Sequence, residues 1–168
     1  MNYAKILTAD ITSGPGFRVS MWVTGCEHHC EGCFNSEIWE CSKGKKFDAL
    51  TKDRIFAEME KPWVRGFTFL GGEPLSKLSD NRAQTIAFCK ELKERFPTKD
   101  IVVFSGFRYE DLINDASSME LFDYIDILVD GKFEIDKRDI SLGWRGSANQ
   151  RIIDIKNSHP GHVVELQC

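Results

Sequence analysis

The sequence contains no apolar run long enough to cross a bilayer, no long run of basic residues and no internal repeat. A membrane-spanning helix needs about 20 consecutive apolar residues. Binding to nucleic acid or to an anionic membrane normally relies on clustered lysine and arginine, whereas the formal net charge here is −4. These absences argue against a membrane protein and against a nucleic-acid partner.

A signal peptide and an internal linker are also missing. Residues 1–5 lack the basic and apolar regions of a secretory signal, and no Pro-, Gly- or Ser-rich stretch divides the chain. The 168 residues, 42% hydrophobic and 29% charged, have the composition of an ordinary globular domain. We therefore expect a single domain over residues 1–168, in the cytoplasm, where cysteines stay reduced.

Three of the six cysteines lie within eight residues, with the spacing Cys-x3-Cys-x2-Cys: Cys26, Cys30 and Cys33. In a reduced chain, closely spaced cysteines bind metal or perform redox chemistry more often than they form disulfides. Iron–sulfur clusters are held by cysteine thiolates, commonly four for a cubane cluster. Three clustered thiolates therefore predict a cluster with one iron left open, much as catalytic zinc sites keep one open position.

A structural zinc ion is the alternative at the same three thiols. Its fourth ligand would be Cys41, His28 or His29. Zinc sites more often use two separated Cys-x2-Cys pairs, and the sequence has no second pair. In the cluster interpretation the two histidines are solvent-facing loop residues and Cys41 is a surface or packing residue. Cys89 is expected to be a small buried hydrophobe, and Cys168 has no assigned role.

Short apolar strands alternate with amphipathic helices along the chain. Strands are predicted over 17–23, 67–70, 101–104, 125–129 and 151–155, and helices over 51–61, 79–96 and 109–116, the first capped by Thr51. This alternation predicts an α/β fold with a mainly parallel sheet. A complete eight-fold barrel needs roughly 200–250 residues, so we expect a partial (β/α) barrel that is open on one side.

Unusual residues follow four of these strands. They are the cysteine loop, the Gly-Gly-Glu-Pro sequence at 71–74, Ser105-Gly106 and Asp130-Gly131-Lys132. Taken alone, Gly-Gly-Glu-Pro would be an ordinary loop after a strand. Functional residues of parallel α/β sheets gather at the C-terminal ends of the strands, so the four segments together predict one site.

The cysteine motif followed by Gly-Gly-Glu-Pro resembles the signature of the radical S-adenosylmethionine superfamily. Gly32 stands where that family usually has an aromatic residue, and Phe34 follows the third cysteine instead. Cys33-Phe34-Asn35 with Trp39 resembles the glycyl-radical-enzyme activating proteins. Within that group, the segments at 14–18, 22–26, 128–133 and 145–150 resemble the activases of anaerobic ribonucleoside-triphosphate reductase.

The resemblance implies a fold and a chemistry. The fold would be an open barrel of the radical S-adenosylmethionine type. A 4Fe–4S cluster on the three cysteines would cleave S-adenosylmethionine reductively, and the resulting 5′-deoxyadenosyl radical would take a hydrogen atom from a glycine of the reductase. Because cofactors supply the difficult chemistry, no catalytic residue is expected beyond the cluster ligands. The implied partners are that reductase and an external reductant, such as a flavodoxin or a thiol system.

The resemblance also implies where S-adenosylmethionine binds. Its amino group is expected at the Gly-Gly-Glu-Pro turn, its adenine near the two residues after the third cysteine, and its carboxylate opposite Lys132, whose cationic side chain suits that role. The alternative for this lysine is ordinary solvent exposure. The complete set of expected cofactor-binding residues is Phe34, Asn35, Gly71, Gly72, Glu73, Pro74, Ser105, Asp130 and Lys132.

Other functions remain open at this point. The chain could activate a different glycyl-radical enzyme, or act on a small molecule as the short 7-carboxy-7-deazaguanine synthases do. A zinc-binding interaction module without catalytic activity is a more remote alternative. The segment 145–150 is either a surface loop or a region of contact with partner or cofactor.

Overall fold

One seven-stranded sheet forms the centre of the computed structural model, which describes residues 1–167; Cys168 lies outside the described residues. The strands are β1 (Asn2–Asp10), β2 (Phe17–Val23), β3 (Lys45–Lys46), β4 (Val64–Gly71), β5 (Asp100–Ser105), β6 (Ile127–Asp130) and β7 (Arg151–Asp154). They lie in the order β3-β1-β2-β4-β5-β6-β7. Strands β2, β4, β5 and β6 are parallel neighbours, whereas β1, β3 and β7 pair antiparallel. The five strands predicted from the sequence are all present.

The three α-helices are α1 (Ala49–Met59), α2 (Asn81–Arg95) and α3 (Tyr109–Ile113). Single 3₁₀ turns occur at Ser36–Ile38, Met119–Asp123 and Ile135–Lys137. The predicted cap of the first helix is wrong by one turn, because the N-cap is Asp48, whose carboxylate accepts the amide hydrogen of Thr51 at 2.9 Å. No helix within residues 1–167 is both long and apolar enough to traverse a membrane.

The predicted partial (β/α) barrel, with its mainly parallel sheet, is wrong. A barrel continues by adding further β/α units, but here an antiparallel strand occupies each side of the parallel set. On one side this strand is β1, from a segment in which the apolar pattern predicts no strand. On the other side it is β7, which returns beside β6. With only α1, α2 and the five-residue α3 in the described chain, the sheet stays open and mixed.

The main hydrophobic core lies between one face of the sheet and the three helices. Successive strand residues point to opposite faces, and alternate positions of the central strands contribute to this core together with residues of all three helices. Phe88 of α2 is fully buried at its centre, with four other phenylalanine rings at centroid distances of 5.0–6.1 Å. Cys89, next to it, is also fully buried, which confirms the prediction of a small core residue, and burial raises the pKa of its thiol.

The opposite face of the sheet carries a smaller apolar cluster and one buried cation. Val102, Ile127, Val129 and Ile152 form the cluster. Arg18 on β2 is fully buried and donates to the Thr68 hydroxyl at 2.6 Å, to the carbonyl oxygens of Pro15 and Phe67, and to the carboxylate of Asp100. These contacts join the N-terminal parts of the parallel strands.

Candidate functional site

A cavity of about 230 Å³ lies at the C-terminal ends of the four parallel strands. Nearly all of the site residues expected from the sequence line it: Cys26, Cys30, Cys33, Phe34, Asn35, Gly71, Gly72, Glu73, Ser105 and Lys132. The two expected residues that do not line it are Pro74 and Asp130. The convergence follows from the parallel arrangement of β2, β4, β5 and β6, which brings their C-terminal ends to one edge.

The cysteine loop begins directly after β2 and is fixed by main-chain hydrogen bonds. The amides of Gly25 and Cys26 donate to the carbonyl oxygens of Ile38 and Trp39, both at 2.9 Å. Gly25 has φ +92°, and a Cβ there would stand 2.5 Å from the sulfur of Cys41. Glycine is therefore required at this position, both for the left-handed backbone and for the close packing of Cys41.

The three clustered thiols are partly buried. Burial raises the pKa of Cys26 to about 11 and also raises the pKa of Cys30, which Lys132 partly offsets through its charge. The amide of Asn35 lies 3.4 Å from the sulfur of Cys33 and donates to it. Thiols bind iron as thiolates, so binding of iron would displace their protons to solvent even where burial raises the pKa of the free thiol. Three thiols around one cavity, with an amide donor to sulfur, fit an iron–sulfur cluster.

The possible fourth ligands of a zinc ion have other partners. The sulfur of Cys41 packs behind Gly25 and does not line the cavity. His29 is exposed and stacks on Trp39 at a centroid distance of 4.6 Å. The His28 imidazole is hydrogen-bonded to Glu73. Within residues 1–167, no three His, Cys, Asp or Glu side chains are grouped so as to hold a single ion.

The Gly-Gly-Glu-Pro turn is joined to the cysteine loop through the main chain. The amide of Gly72 donates to Val23 at 2.9 Å, and the amide of Glu73 donates to Gly25 at 2.7 Å. A Cβ at position 72 would stand 2.5 Å from the Gly25 carbonyl oxygen. The side-chain amide of Asn81, at the start of α2, donates to Thr24 at 2.8 Å and to Glu73 at 3.1 Å, both at their carbonyl oxygens. The two turns thus form one hydrogen-bonded unit.

Glu73 is fully buried, and its carboxylate is surrounded by donors of the chain. One oxygen accepts from the Leu75 amide at 2.9 Å and from the Ser105 hydroxyl at 2.8 Å. The other accepts from the Gly106 amide at 2.7 Å and lies 2.8 Å from Nε2 of His28. An ionised carboxylate only accepts, so Nε2 carries the hydrogen. The His28 side chain is only 6% exposed, and the expectation of a solvent-facing residue is therefore wrong.

Asp130 and Lys132 lie in different environments at the end of β6. Asp130 is fully buried, and its carboxylate accepts from the Tyr109 amide at 2.8 Å and from Arg151. Arg151 also contacts both carboxylate oxygens of Glu110 at 2.8–2.9 Å, and these two acids raise its pKa. Lys132 is exposed and borders the cavity. Asp130 thus joins α3 and β7 to β6, whereas Lys132 faces the cavity.

Residues 144–150 form one wall of the cavity. The Gln150 side chain donates to the Gly131 carbonyl oxygen at 3.0 Å and accepts from the Gly146 amide at 2.9 Å. The Asn149 side-chain amide donates to the Lys132 carbonyl oxygen at 2.8 Å. Trp144, Gly146 and Gln150 line the cavity itself. These bonds attach the segment to the end of β6, so it is part of the site.

Apolar side chains are exposed in the cavity lining and in the segment that precedes Trp144. Phe34, which lines it, is 58% exposed, packs on Phe133 at a ring-centroid distance of 5.3 Å and lies beneath the guanidinium of Arg138. Ile140 is 87% exposed, in the segment that leads to Trp144. Singly exposed apolar residues are common on proteins, but an exposed aromatic ring that lines a cavity, as Phe34 does, is suited to contact a ligand or partner.

Comparison with known proteins agrees with the chemistry of the thiol-lined cavity. The family model described as "4Fe-4S single cluster domain" matches residues 12–153, so the protein is of the single-cluster iron–sulfur class. Three relatives, each named anaerobic ribonucleoside-triphosphate reductase-activating protein, indicate the family within this class. The relative from Enterobacteria phage T4 is 38% identical over 152 residues, which cover 90% of this chain and 93% of the relative.

The other two relatives have similar sequence identity and coverage. The relative from Pasteurella multocida (strain Pm70) is 40% identical over 154 residues, covering 90% of this chain and 96% of the relative. The relative from Escherichia coli (strain K12) is 36% identical over 152 residues, covering 89% and 96%. The chain therefore belongs to the family of anaerobic ribonucleoside-triphosphate reductase-activating proteins, and the resemblance of its motifs to these activating proteins is confirmed.

Proposed function

We propose that the protein is a radical S-adenosylmethionine enzyme that forms a glycyl radical on anaerobic ribonucleoside-triphosphate reductase. The observation that carries the proposal is the convergence of the cysteine loop, the Gly-Gly-Glu-Pro turn and the ends of β5 and β6 on one cavity. The names of the relatives support the choice of partner. In this proposal the whole chain acts as one domain.

The three thiols Cys26, Cys30 and Cys33 would hold the 4Fe–4S cluster and leave one iron open to S-adenosylmethionine. When bound, this cluster would supply the electron that cleaves the sulfonium, yielding methionine and the 5′-deoxyadenosyl radical. The position of Cys41 supports an open iron, because its sulfur packs behind Gly25 instead of lining the cavity.

The chain's own groups would orient S-adenosylmethionine. The main chain of Gly71 and Gly72 borders the cavity without side chains, which suits a close approach of the methionyl amino group. The exposed ammonium of Lys132 would meet the carboxylate by a charge-assisted hydrogen bond. Phe34 and Asn35, which follow the last cysteine, would contact the adenine.

The reductase would dock over exposed apolar side chains: Phe34, which lines the cavity, and Ile140, four residues before the cavity-lining Trp144. Its glycine must come close to the bound cofactor, so the docking surface has to adjoin the cavity. An external reductant, such as a flavodoxin or a thiol system, would reduce the cluster and so be the source of the electron that cleaves the sulfonium. We place the reaction in the cytoplasm, because a thiolate-held cluster needs reduced cysteines, and Cys26, Cys30 and Cys33 are free.

The test is anaerobic reconstitution with iron and sulfide, followed by assays for free 5′-deoxyadenosine and, by electron paramagnetic resonance, for the glycyl radical. We expect 5′-deoxyadenosine in the presence of a reductant, and the radical only when the reductase is present. Cleavage without a radical on the reductase would favour another glycyl-radical enzyme or a small-molecule substrate. One tightly bound zinc per chain, with no iron or sulfide, would refute the proposal that the protein is an enzyme.

A further inference from the structure

The Glu73 carboxylate has no acceptor capacity left for a ligand. A carboxylate offers about four lone-pair sites, and four donors of the chain occupy them: the amides of Leu75 and Gly106, the Ser105 hydroxyl and the His28 imidazole. All four distances lie between 2.7 and 2.9 Å. An incoming ammonium could bond to this carboxylate only by leaving one buried donor unpaired, which is unfavourable.

His28 is the donor that brings the cysteine loop into this arrangement. It lies between Cys26 and Cys30, and its ring contacts Phe107 edge-on at a centroid distance of 4.6 Å. Its Nε2 would stand 2.5 Å from a Cβ at position 106. The end of β5 therefore accommodates the imidazole only because residue 106 is glycine.

We propose that Glu73 is an internal strut rather than a ligand of S-adenosylmethionine, and that His28 is the positioning residue that ties the cysteine loop to this strut. The proposal rests on the proposed function for its ligand. The strut connects three segments: the loop after β2 through His28, the turn after β4 through Glu73, and the end of β5 through Ser105 and Gly106. The thiols and the main chain of the Gly-Gly turn are thereby held in fixed relative positions before the ligand binds, which is the requirement for a preorganised site.

This assignment differs from the expectation that Glu73 contributes to the contact with the amino group of S-adenosylmethionine. The groups left for that contact are main-chain atoms of the turn. Loss of His28 should then impair the geometry between loop and turn without removing any thiol. The expected consequence is weaker binding of S-adenosylmethionine to a cluster that still assembles.

The test compares His28→Asn with the matched control His29→Asn, and adds His28→Gln as the conservative replacement. Asparagine is too short to reach Glu73, whereas glutamine extends its amide further and can donate to the carboxylate. His29 is a neighbouring histidine of the same loop, but it is exposed and stacks on Trp39. Three measurements are made on each variant: iron and sulfide content, the change in the reduced cluster's paramagnetic resonance spectrum with S-adenosylmethionine, and the steady-state constants KM and kcat for S-adenosylmethionine cleavage.

We expect His28→Asn to bind iron and sulfide as the wild type does, but to need about tenfold more S-adenosylmethionine for the spectral change and for half-maximal cleavage. The reason is that the ligand must then order the loop and the turn, at a cost comparable to one buried hydrogen bond. KM should rise more than kcat falls. His28→Gln should recover most of the affinity, and His29→Asn should match the wild type. Wild-type affinity in His28→Asn, or equal losses in both asparagine variants, would overturn the proposal.

A measurement on the cluster-free protein keeps the strut testable if a variant assembles no cluster. Exchange of the Gly106 amide hydrogen, which is bonded to Glu73, should be faster in His28→Asn than in His29→Asn. Equal exchange rates would refute the strut. If wild-type protein itself gives no spectral change and no cleavage with S-adenosylmethionine, the proposed function fails, while the amide exchange still decides the role of His28.

Discussion

Replacing Gly72 by alanine tests the close contact between the two turns that frame the cavity. The new Cβ would stand 2.5 Å from the Gly25 carbonyl oxygen and 3.1 Å from that of Val23. Cβ atoms essentially never come within 3.0 Å of such a neighbour, and both neighbours are main-chain atoms, which no rotamer change can move. The turns must therefore separate by about half an ångström or more, a strain comparable to core overpacking.

The expected result has two parts. Cluster-free Gly72→Ala should lose about 1–3 kcal/mol of unfolding free energy in guanidinium titrations. Reconstituted Gly72→Ala should form 5′-deoxyadenosine about tenfold to a hundredfold more slowly, because a misplacement of about 1 Å can reduce a rate a hundredfold. Both effects come from one displacement of the Gly-Gly-Glu-Pro turn against the cysteine loop.

Gly161→Ala is the control. Gly161 has φ +83°, and nothing lies within 4 Å of its Cβ position. Alanine there should cost about 1–2 kcal/mol through left-handed backbone strain, without changing cleavage. A Gly72→Ala protein that cleaves S-adenosylmethionine at the wild-type rate would refute the steric argument, and with it the view that the two turns act as one unit.

Four further substitutions test the cluster ligands, the docking surface and the core. Cys33→Ala should abolish 5′-deoxyadenosine formation while Cys41→Ala retains it; equal losses would indicate a four-thiolate site. Ile140→Asp should lower the glycyl radical yield on the reductase but leave reductase-independent cleavage unchanged, and an unchanged yield would remove Ile140 from the docking surface. Phe88→Ala should reduce the unfolding free energy by about 3–5 kcal/mol, measured as a lower denaturation midpoint; a loss below about 1 kcal/mol would contradict its central place in the core.

The central strands could be predicted because their signals are local. Residues 17–23 alternate in polarity, and 67–70 and 101–104 are short apolar runs, patterns that buried strands require. The parallel pairing of these strands brought their C-terminal residues together. Most residues selected at these strand ends therefore meet at one cavity, although others that line it, such as His28 and Trp144, were not selected.

The edges of the sheet could not be predicted in the same way. Strand β1 is exposed along much of its length, so it lacks the apolar alternation of a half-buried strand. Strand β3 has only two residues, Lys45 and Lys46, both exposed. Whether the segment at 151–154 pairs parallel or antiparallel depends on the path of the chain after β6, which periodicity does not report. These antiparallel strands, which flank the parallel set, decide between an open sheet and a barrel.

Side-chain hydrogen bonds between distant positions were also beyond local patterns. His28 and Glu73 are 45 residues apart and meet because β2 and β4 are neighbours in register, with Val23 opposite Gly71. Asn81 joins the same unit from the first turn of α2. Asp130 matches a family motif, yet its carboxylate is bonded to Arg151 and the Tyr109 amide. A motif predicts that a residue lies at a strand end, but not which groups its side chain contacts.

The open sheet changes how access for a protein substrate is explained. The chain is too short for a complete barrel, and the open side of the expected partial barrel would admit a protruding glycine loop. In the observed fold, antiparallel β7 ends the parallel set, and residues 144–150, which lead into it, form a cavity wall that Gln150 and Asn149 attach to the end of β6. The exposed Ile140 lies four residues before this wall in the chain. The wall that would contact the cofactor is thus continuous with the surface that would contact the reductase, so binding of the partner can act directly on the geometry of the site.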